Sequence, residues 1–586
     1  HIYTFNFKYI IMKNKCLNFL LFVVVAFVSP GLLWAQNQPV KGKVLDEKTK
    51  EALIGVSVLE AGSTSNGTVT DLDGNFSLSV PEGATLRISY VGYLVQEIPL
   101  NGRKSLEVLL KEDTEMLDEV VIVGYGVQKK ATLSGSVTSI GGEKLANTPV
   151  TNVSQGLAGR LPGVVAISNT AEPGYDGATI RIRGVNTFGK ADPLVVVDGV
   201  PGRSLERIDP STIETMSVMK DASAAIYGAQ AANGVIIITT KRGKKGKPTV
   251  NLSYNYGISR PTVIPEMANA SEYATLLNEI DKYAGNKERY TPEDIQKYRD
   301  GSDPWSYPNT DWFKETLKPW SPQTYANATI DGGTDNMTYF VSVSAKTQDG
   351  FYRNSGTKYN QYDLKSNLDL KLNKYINLFM NLTGRMEDRK YPTRSSENIF
   401  RMLMRSKPNM PAYWPNGLPG PDIEFGDNPV VIATDATGYE RDKRYILNGD
   451  FGVNINVPYV EGLTLKATAS LDKNFRFRKI WQTPWTLYSW DGTSMDENNN
   501  PLLVEGKKGF SDPRLRESME DNQNILLSGI INYNRTFAEN HSVNVLAGAE
   551  RITGKGDSFE AFRRYFISTA IDELFAGGPV SYTHLR

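Results

Sequence analysis

From residue 248 onward apolar and polar side chains alternate with a period of two, and this pattern restricts the possible folds more than any other feature. Val250, Leu252, Tyr254, Tyr256 and Ile258 are interleaved with Thr249, Asn251, Ser253, Asn255 and Gly257. Successive side chains of a strand point to opposite faces, so such a run has one apolar face and one wet face. Eight further segments lie near residues 324–330, 338–346, 361–372, 376–384, 445–457, 463–471, 524–533 and 542–550. The clearest sets Tyr445, Leu447, Phe451, Val453, Ile455 and Val457 against Asn448, Asp450, Asn454 and Asn456.

The connections discriminate between a soluble sandwich and a membrane barrel. Residues 259–323, 348–360, 385–444 and 473–523 form medium to long links, and they alternate with the short links 331–337, 373–375, 458–462 and 535–541. Outer-membrane barrels alternate short periplasmic turns with longer outer loops, whereas a soluble sandwich has no reason to. The expected fold is mainly β, with the first part of a large antiparallel transmembrane barrel over 248–586. Nine strands are too few and odd, since large plugged transporters close with about 22. The expectation is therefore an incomplete barrel, whose open apolar edges would aggregate rather than insert. Residues 577–586 lack the alternation and read as non-native translated sequence.

The start of the chain indicates export. Met12 is followed by Lys13 and Lys15, an apolar core from Leu17 to Val28 and Leu33-Trp34-Ala35, so 12–35 reads as a signal peptide and 1–11 as upstream translation. The apolar run is shorter than the roughly 20 residues a spanning helix needs. Cys16, the only cysteine, lies within this signal, so the mature chain has no disulfide. No apolar stretch of 18 residues follows Ala35, leaving a soluble secreted protein or a β-barrel.

Lysine plus arginine and aspartate plus glutamate each number 65, so no global field attracts nucleic acid. The mature chain holds two histidines, His541 and His584, and lacks HExxH, GxSxG and Walker spacings. Neither an enzyme nor a dedicated metal or cofactor site is expected. Lys241, Arg242, Lys244, Lys245 and Lys247 read as a solvated link.

Residues 36–112 read as a small β-sandwich with strands near 40–45, 55–59, 67–70, 75–79, 85–90 and 106–110. Asp71 and Asp73 lack the further oxygen ligands of a calcium loop, and Gly74 favours a hairpin turn there. The pattern Gly67-Thr68-Val69-Thr70-Asp71-Leu72-Asp73-Gly74-Asn75-Phe76, followed by Ile88-Ser89-Tyr90-Val91-Gly92-Tyr93, resembles the carboxypeptidase-regulatory-like domain, which is not catalytic in that setting.

Residues 131–247 form the next unit. Leu194–Val197 and Val235–Ile238 read as strands covered on both faces, Asp198-Gly199 and Asn233-Gly234 as tight turns, and Ala222–Ala225 as a small-residue helical turn. Asp209 to Glu214 reads as a helix start with Ser211 as its cap. Ile180-Arg181-Ile182-Arg183-Gly184, Pro193 through Gly202, Ser217 through Gly228 and Ala232 through Lys241 resemble the plug of TonB-dependent receptors of the SusC/RagA kind.

Residues 113–130 link the two units. Asp118, Glu119, Val120, Val121, Ile122, Val123, Gly124, Tyr125 and Gly126 place four β-formers between acids and glycines, suited to adding as a strand to another protein's sheet edge, though an ordinary strand has the same pattern. The segment resembles a TonB box. Membership of this family implies import across the outer membrane, driven by TonB and assisted by a SusD-like surface lipoprotein acting as a lid. The implied ligand is an oligosaccharide, with a peptide importer or a ligand-sensing receptor as alternatives. Contact residues stay unassigned. Trp305, Trp312, Trp320, Trp414, Trp481, Trp485 and Trp490 fall in the expected outer loops, where they serve either to stack on sugars or to pack the loops.

Overall fold

The computed structural model describes residues 38–585 except 48, 62–65, 82, 91–92, 112–119, 124–125, 130–136, 149–151, 169, 171, 186, 221, 539–540 and 580–583. The expected export signal and the residues before it lie outside the described residues. The chain divides into two compact units, the first running to Val120 and including Gln128–Thr132, the second made of Val121–Val127 and everything from Leu133.

The first unit contains β1 (Gln38–Asp46), β2 (Ser57–Glu60), β3 (Gly67–Val69), β4 (Asn75–Val80), β5 (Thr85–Ser89), β6 (Gln96–Pro99) and β7 (Ser105–Leu110). They form two sheets, ordered β4-β1-β7 and β3-β2-β5-β6. Alternation sets the faces: Phe76, Leu78 and Val80 are buried while Asn75, Ser77 and Ser79 are exposed. Val40, Val44, Val58, Leu86, Ile88 and Val108 belong to the core between the sheets. Strand β6 is absent from the sequence reading, because Gln96-Glu97-Ile98-Pro99 has one apolar side chain free to pattern it. The turn Asp71–Gly74 is also not a hairpin, since β3 and β4 lie in different sheets and the turn carries the chain between them. Gly74 is required there: its φ is +76°, and a Cβ would lie 2.7 Å from the Val44 carbonyl oxygen. Between the units, β8 (Val120–Val123) pairs with β9 (Gly126–Lys129).

The second unit begins with an α/β domain: β10 (Val137–Gly141), β11 (Val164–Ser168), β12 (Ala178–Ile182), β13 (Leu194–Val197), β14 (Val200–Pro201), β15 (Ile213–Met219) and β16 (Val235–Thr240). Its main sheet runs β10-β15-β16-β13-β14, with β11 and β12 as a separate pair. Parallel pairing of Leu194–Val197 with Val235–Ile238 buries both runs, as the apolar sequence demands. Asp198 and Gly199 join β13 to β14 with φ of +52° and +87°, the left-handed pair of a tight hairpin turn. The expected helix at 209–214 is corrected. Asp209, not Ser211, is the cap, the turn is a 3-10 helix limited to Pro210–Thr212, and Ile213 already enters β15. Ile213 is fully buried, so pairing with β16 outweighs the local helix signal.

A long sequential antiparallel sheet follows: β17 (Gly246–Ser259), β18 (Ser321–Gly333), β19 (Met337–Asp349), β20 (Lys358–Lys371), β21 (Ile376–Tyr391), β22 (Gly438–Asn456) and β23 (Leu463–Gln482). After a loop hairpin of β24 (Trp485–Ser489) and β25 (Val504–Lys508), it resumes with β26 (Arg514–Phe537), β27 (His541–Arg564) and the two-residue β28 (His584–Leu585). All nine expected segments are long strands of this sheet.

The faces are inverted relative to a soluble sheet. In β20 the inward Tyr359, Gln361, Asp363, Lys365 and Asn367 are buried, while the outward Tyr362 and Leu364 are 51% and 53% exposed. Charged groups bury on one side and hydrocarbon is left bare on the other, which suits a sheet bathed by lipid. One register row, Tyr254, Ala326, Ala345, Tyr362, Met386, Tyr445 and Phe475, runs across seven strands of the outward face. Beyond it that face turns charged, with Arg441 paired to Asp388 at 2.6 Å and Lys479 to Glu517 at 3.5 Å. Aromatic residues at a change from apolar to charged surface are the pattern found at the edge of a lipid-facing band.

Candidate functional site

The inward face of the sheet grips the α/β domain. Burying these side chains against another domain requires each to find a polar partner there. The Tyr325 hydroxyl donates to Asp209 Oδ1 at 2.7 Å, Gln361 Nε2 to the Arg207 carbonyl at 2.9 Å, and the Tyr391 hydroxyl to the Pro173 carbonyl at 2.9 Å. Asn367 Nδ2 donates to Lys241 O at 2.7 Å and Thr240 Oγ1 at 2.9 Å. The bore wall thus holds this domain through its backbone as well as its side chains.

Arg203 anchors the centre. It follows Pro201-Gly202, with Gly202 at φ +84°, and the turn projects its guanidinium toward the wall. There it meets Asp450 of β22 at 2.5 Å and Asp472 of β23 at 2.6 Å. Burial alone would disfavour the charge, but the two carboxylates reverse that and hold Arg203 more firmly protonated than usual. Arg207 and Asp176, both 2% exposed at the side chain, pair at 2.5 Å within the domain, and Arg207 lies 4.7 Å from the Tyr359 ring centroid. Asp198 approaches Lys365 of β20 at 3.6 Å and accepts from the Thr240 hydroxyl at 2.7 Å. These contacts keep Asp198 below the ordinary carboxylate range although burial pushes it upward.

The 172–175 loop forms the end of the domain nearest the long loops. Gly174 adopts φ +81°, and a Cβ there would come within 2.8 Å of both Tyr359 and Tyr391. Tyr175 stacks obliquely on Tyr391 at 4.9 Å, with Arg389 5.3 Å from the Tyr175 centroid. Burial, reinforced by Glu440, pushes Glu172 up to about 7 against the hydrogen bond from Ser396.

Of the expected linker site, Asp118, Glu119, Gly124 and Tyr125 lie outside the described residues. Val120, Val121, Ile122 and Val123 form β8, and Gly126 opens its partner β9. The basic link is solvated as expected, with Lys244, Lys245 and Lys247 exposed; Lys245 pairs with exposed Asp335 at 2.7 Å, and Arg242 reaches Asp369 of the bore at 2.7 Å.

The tryptophans divide differently from the expectation. Trp481 lies in β23 and not in a loop. Trp312, Trp414 and Trp485 are buried, and Trp305, Trp414 and Trp490 pack on one another at centroid distances of 5.6 to 6.3 Å. Trp320 is 47% exposed, beside Arg260. The loops therefore use most of these rings for their own packing, Trp312 and Trp485 in a core with Phe313, Ile399, Met402 and Val431, and Trp305, Trp414 and Trp490 against one another.

Comparison with known proteins places this geometry. Residues 129–235 match the family model of the TonB-dependent receptor plug domain, and residues 40–122 that of the CarboxypepD_reg-like domain. The TonB-dependent receptor SusC of Bacteroides thetaiotaomicron is 33% identical over 459 residues, covering 73% of this chain and 43% of SusC. The TonB-dependent receptor P3 of Formosa agariphila is 28% identical over 588 residues, covering 97% of this chain and 53% of that protein. A solved structure of the RagAB peptide importer in its open-open state aligns with a TM-score of 0.65 at 23% identity, covering 80% of this chain and 52% of that one. The chain spans about half the length of the curated relatives it matches. No helix among the described residues is long and apolar enough to cross a membrane.

Proposed function

Because the chain belongs to the SusC-like family of TonB-dependent receptors, we propose that it supplies the plug and the first strands of an outer-membrane importer. One observation carries this reading: buried charged and amide side chains line the inner face and clasp the plug, while the outer face is bare hydrocarbon. A folded plug within a barrel stops diffusion, so passage requires force on the plug. The segment Asp118–Gly126 precedes the plug directly, and its run of β-formers suits strand addition by TonB in the periplasm. Import needs no bond-making step, and the account assigns none.

By the same reading a SusD-like surface lipoprotein covers the outer mouth, and the ligand is an oligosaccharide. A peptide is the alternative; the likeness to RagAB carries the fold and leaves that choice open. The test is deletion of Asp118–Gly126 in the intact parent protein, with uptake and surface binding of the same labelled oligosaccharide mixture measured in parallel. Uptake falls to background with binding retained if the segment is the tether. Unchanged uptake refutes that role.

A further inference from the structure

A cleft of about 560 Å³ opens among the long loops, lined by residues from the connections after β17, β19 and β21 and by none from the plug. Its size suits a small organic ligand. Buried Phe313, Leu317 and Leu403 of the loop core give it an apolar wall, and Ile264 and Met267, 48% and 45% exposed, add an apolar rim.

The neutral polar groups of the lining are largely spent on the protein itself. Asn269 Oδ1 accepts from Glu272 N at 3.0 Å and Asn309 Oδ1 from Ala270 N at 3.0 Å. Thr310 Oγ1, Trp312 Nε1 and Ser406 Oγ donate to the carbonyls of Met410, Lys407 and Met402 at 2.7, 2.8 and 2.7 Å. A polyhydroxylated molecule would find few free partners here.

What stays open is positive charge. Lys318 N donates to Phe351 O at 2.6 Å and Arg353 N to Thr316 O at 2.8 Å, on either side of the bridge between Leu317 and Tyr352. Leu317 and Tyr352 enter the loop core, so Lys318 and Arg353, each one position on, take the opposite face as diagonal neighbours about 7–8 Å apart. Arg353 Nε donates to Lys314 O at 2.7 Å and Lys318 Nζ to Gly350 O at 3.3 Å. Both cations are thereby held in place, and each keeps N–H groups with no partner among the described residues. Lys314 adds a third cation at the exposed edge. Two carboxylates also line the cleft: Asp311 caps the helix Trp312–Thr316 by accepting from Lys314 N at 3.1 Å, and Glu266 is exposed and uncommitted. They would repel a dianion more than a monoanion. A purely apolar molecule would strip water from the cations without replacing it.

We infer that this cleft binds an amphipathic carboxylate, its head between Lys318 and Arg353 and its hydrocarbon against Phe313 and Leu403 beneath Ile264 and Met267. Every lining residue belongs to the loops, so the site stands apart from the plug and does not depend on the importer reading.

The test is isothermal titration of the intact parent protein in zwitterionic lipid nanodiscs, with empty nanodiscs as the blank and octanoate, 1-octanol and acetate as probes. Octanoate is expected to bind saturably and at least about tenfold more tightly than either of the others, because the charged contact and the buried alkyl chain each contribute about that factor or more. Lys318→Met should weaken octanoate binding by about tenfold. Met267→Glu should do the same by placing a carboxylate at the rim, and it changes only an exposed side chain. Binding of 1-octanol or acetate as tight as that of octanoate overturns the amphipathic class. Octanoate binding that is absent, or that survives both substitutions unchanged, overturns the site. None of these results bears on the tether deletion, which tests the importer reading separately.

Discussion

Arg203 Nη2 stands 2.5 Å from Asp450 Oδ1, joining a plug turn to barrel strand β22 across 247 residues of sequence. Asp472 completes the site from the adjoining strand at 2.6 Å. Removing one partner of a buried ion pair leaves the others charged and unmatched, which costs ~3–5 kcal/mol. Arg203→Ala in the intact parent protein should therefore loosen the plug, seen as a lower temperature for proteolysis of residues 131–247 in membranes. Replacing Arg203, Asp450 and Asp472 together with apolar residues should recover much of the loss. Equal sensitivity in the single and triple variants would show that the charges do not act together.

The outward face offers a second test. Leu364 is 53% exposed between inward Asp363 and Lys365. Leu364→Arg places a charge against lipid one outward position inside the aromatic row, at a cost of ~1–3 kcal/mol between the interface and midplane values, and should lower the amount assembled in the outer membrane. Leu364→Ile should assemble normally.

Gly174 provides a steric test. Its positive φ and the 2.8 Å approach of Tyr359 and Tyr391 leave no room for a methyl group. Gly174→Ala should displace the Glu172–Tyr175 loop and destabilise the plug by ~1–3 kcal/mol, the range for an added methyl in a packed site. Heat-induced loss of plug protection measures it.

Glu172 predicts a pH dependence. Its folded value near 7 exceeds its ordinary 4.5, so the folded plug binds the proton more tightly than the unfolded chain does. That stabilising contribution is fully present below about 4.5, declines as pH rises and is lost above about 7. Ser396 lowers the value and Glu440 raises it, and the Tyr352 and Tyr391 hydroxyls also lie within its field. Glu172→Gln should flatten the fall in plug stability between these limits and raise stability at pH 8, measured by protease protection against temperature.

The sheet was legible in the sequence because lipid on one side and a wet plug on the other enforce strict alternation. Tyr445 to Val457 already showed Asp450 on the wet face. Strand lengths were not legible: β21, β22 and β23 continue past the aromatic row through Arg389, Lys390, Arg441, Arg478 and Lys479, where charged residues fall on both faces and the ladder persists without apolar alternation. Arg203 was missed because no local pattern marks it; its partners lie 247 and 269 residues away. The Asp209 turn misled because capping chemistry is local, whereas the burial of Ile213 is tertiary. Aromatic residues in long loops were likewise ambiguous, and most of the tryptophans turned inward.

Cysteine scanning of β22 in the intact parent protein, using a thiol reagent confined to the membrane phase, tests the central claim most directly. Labelling is expected at positions 445, 447, 451 and 453 and not at 448, 450 and 454, which a water-soluble thiol reagent reaches once the plug is removed. Uniform labelling, or labelling of the Asp450 side alone, would contradict a barrel with an oily exterior and a plugged, polar bore.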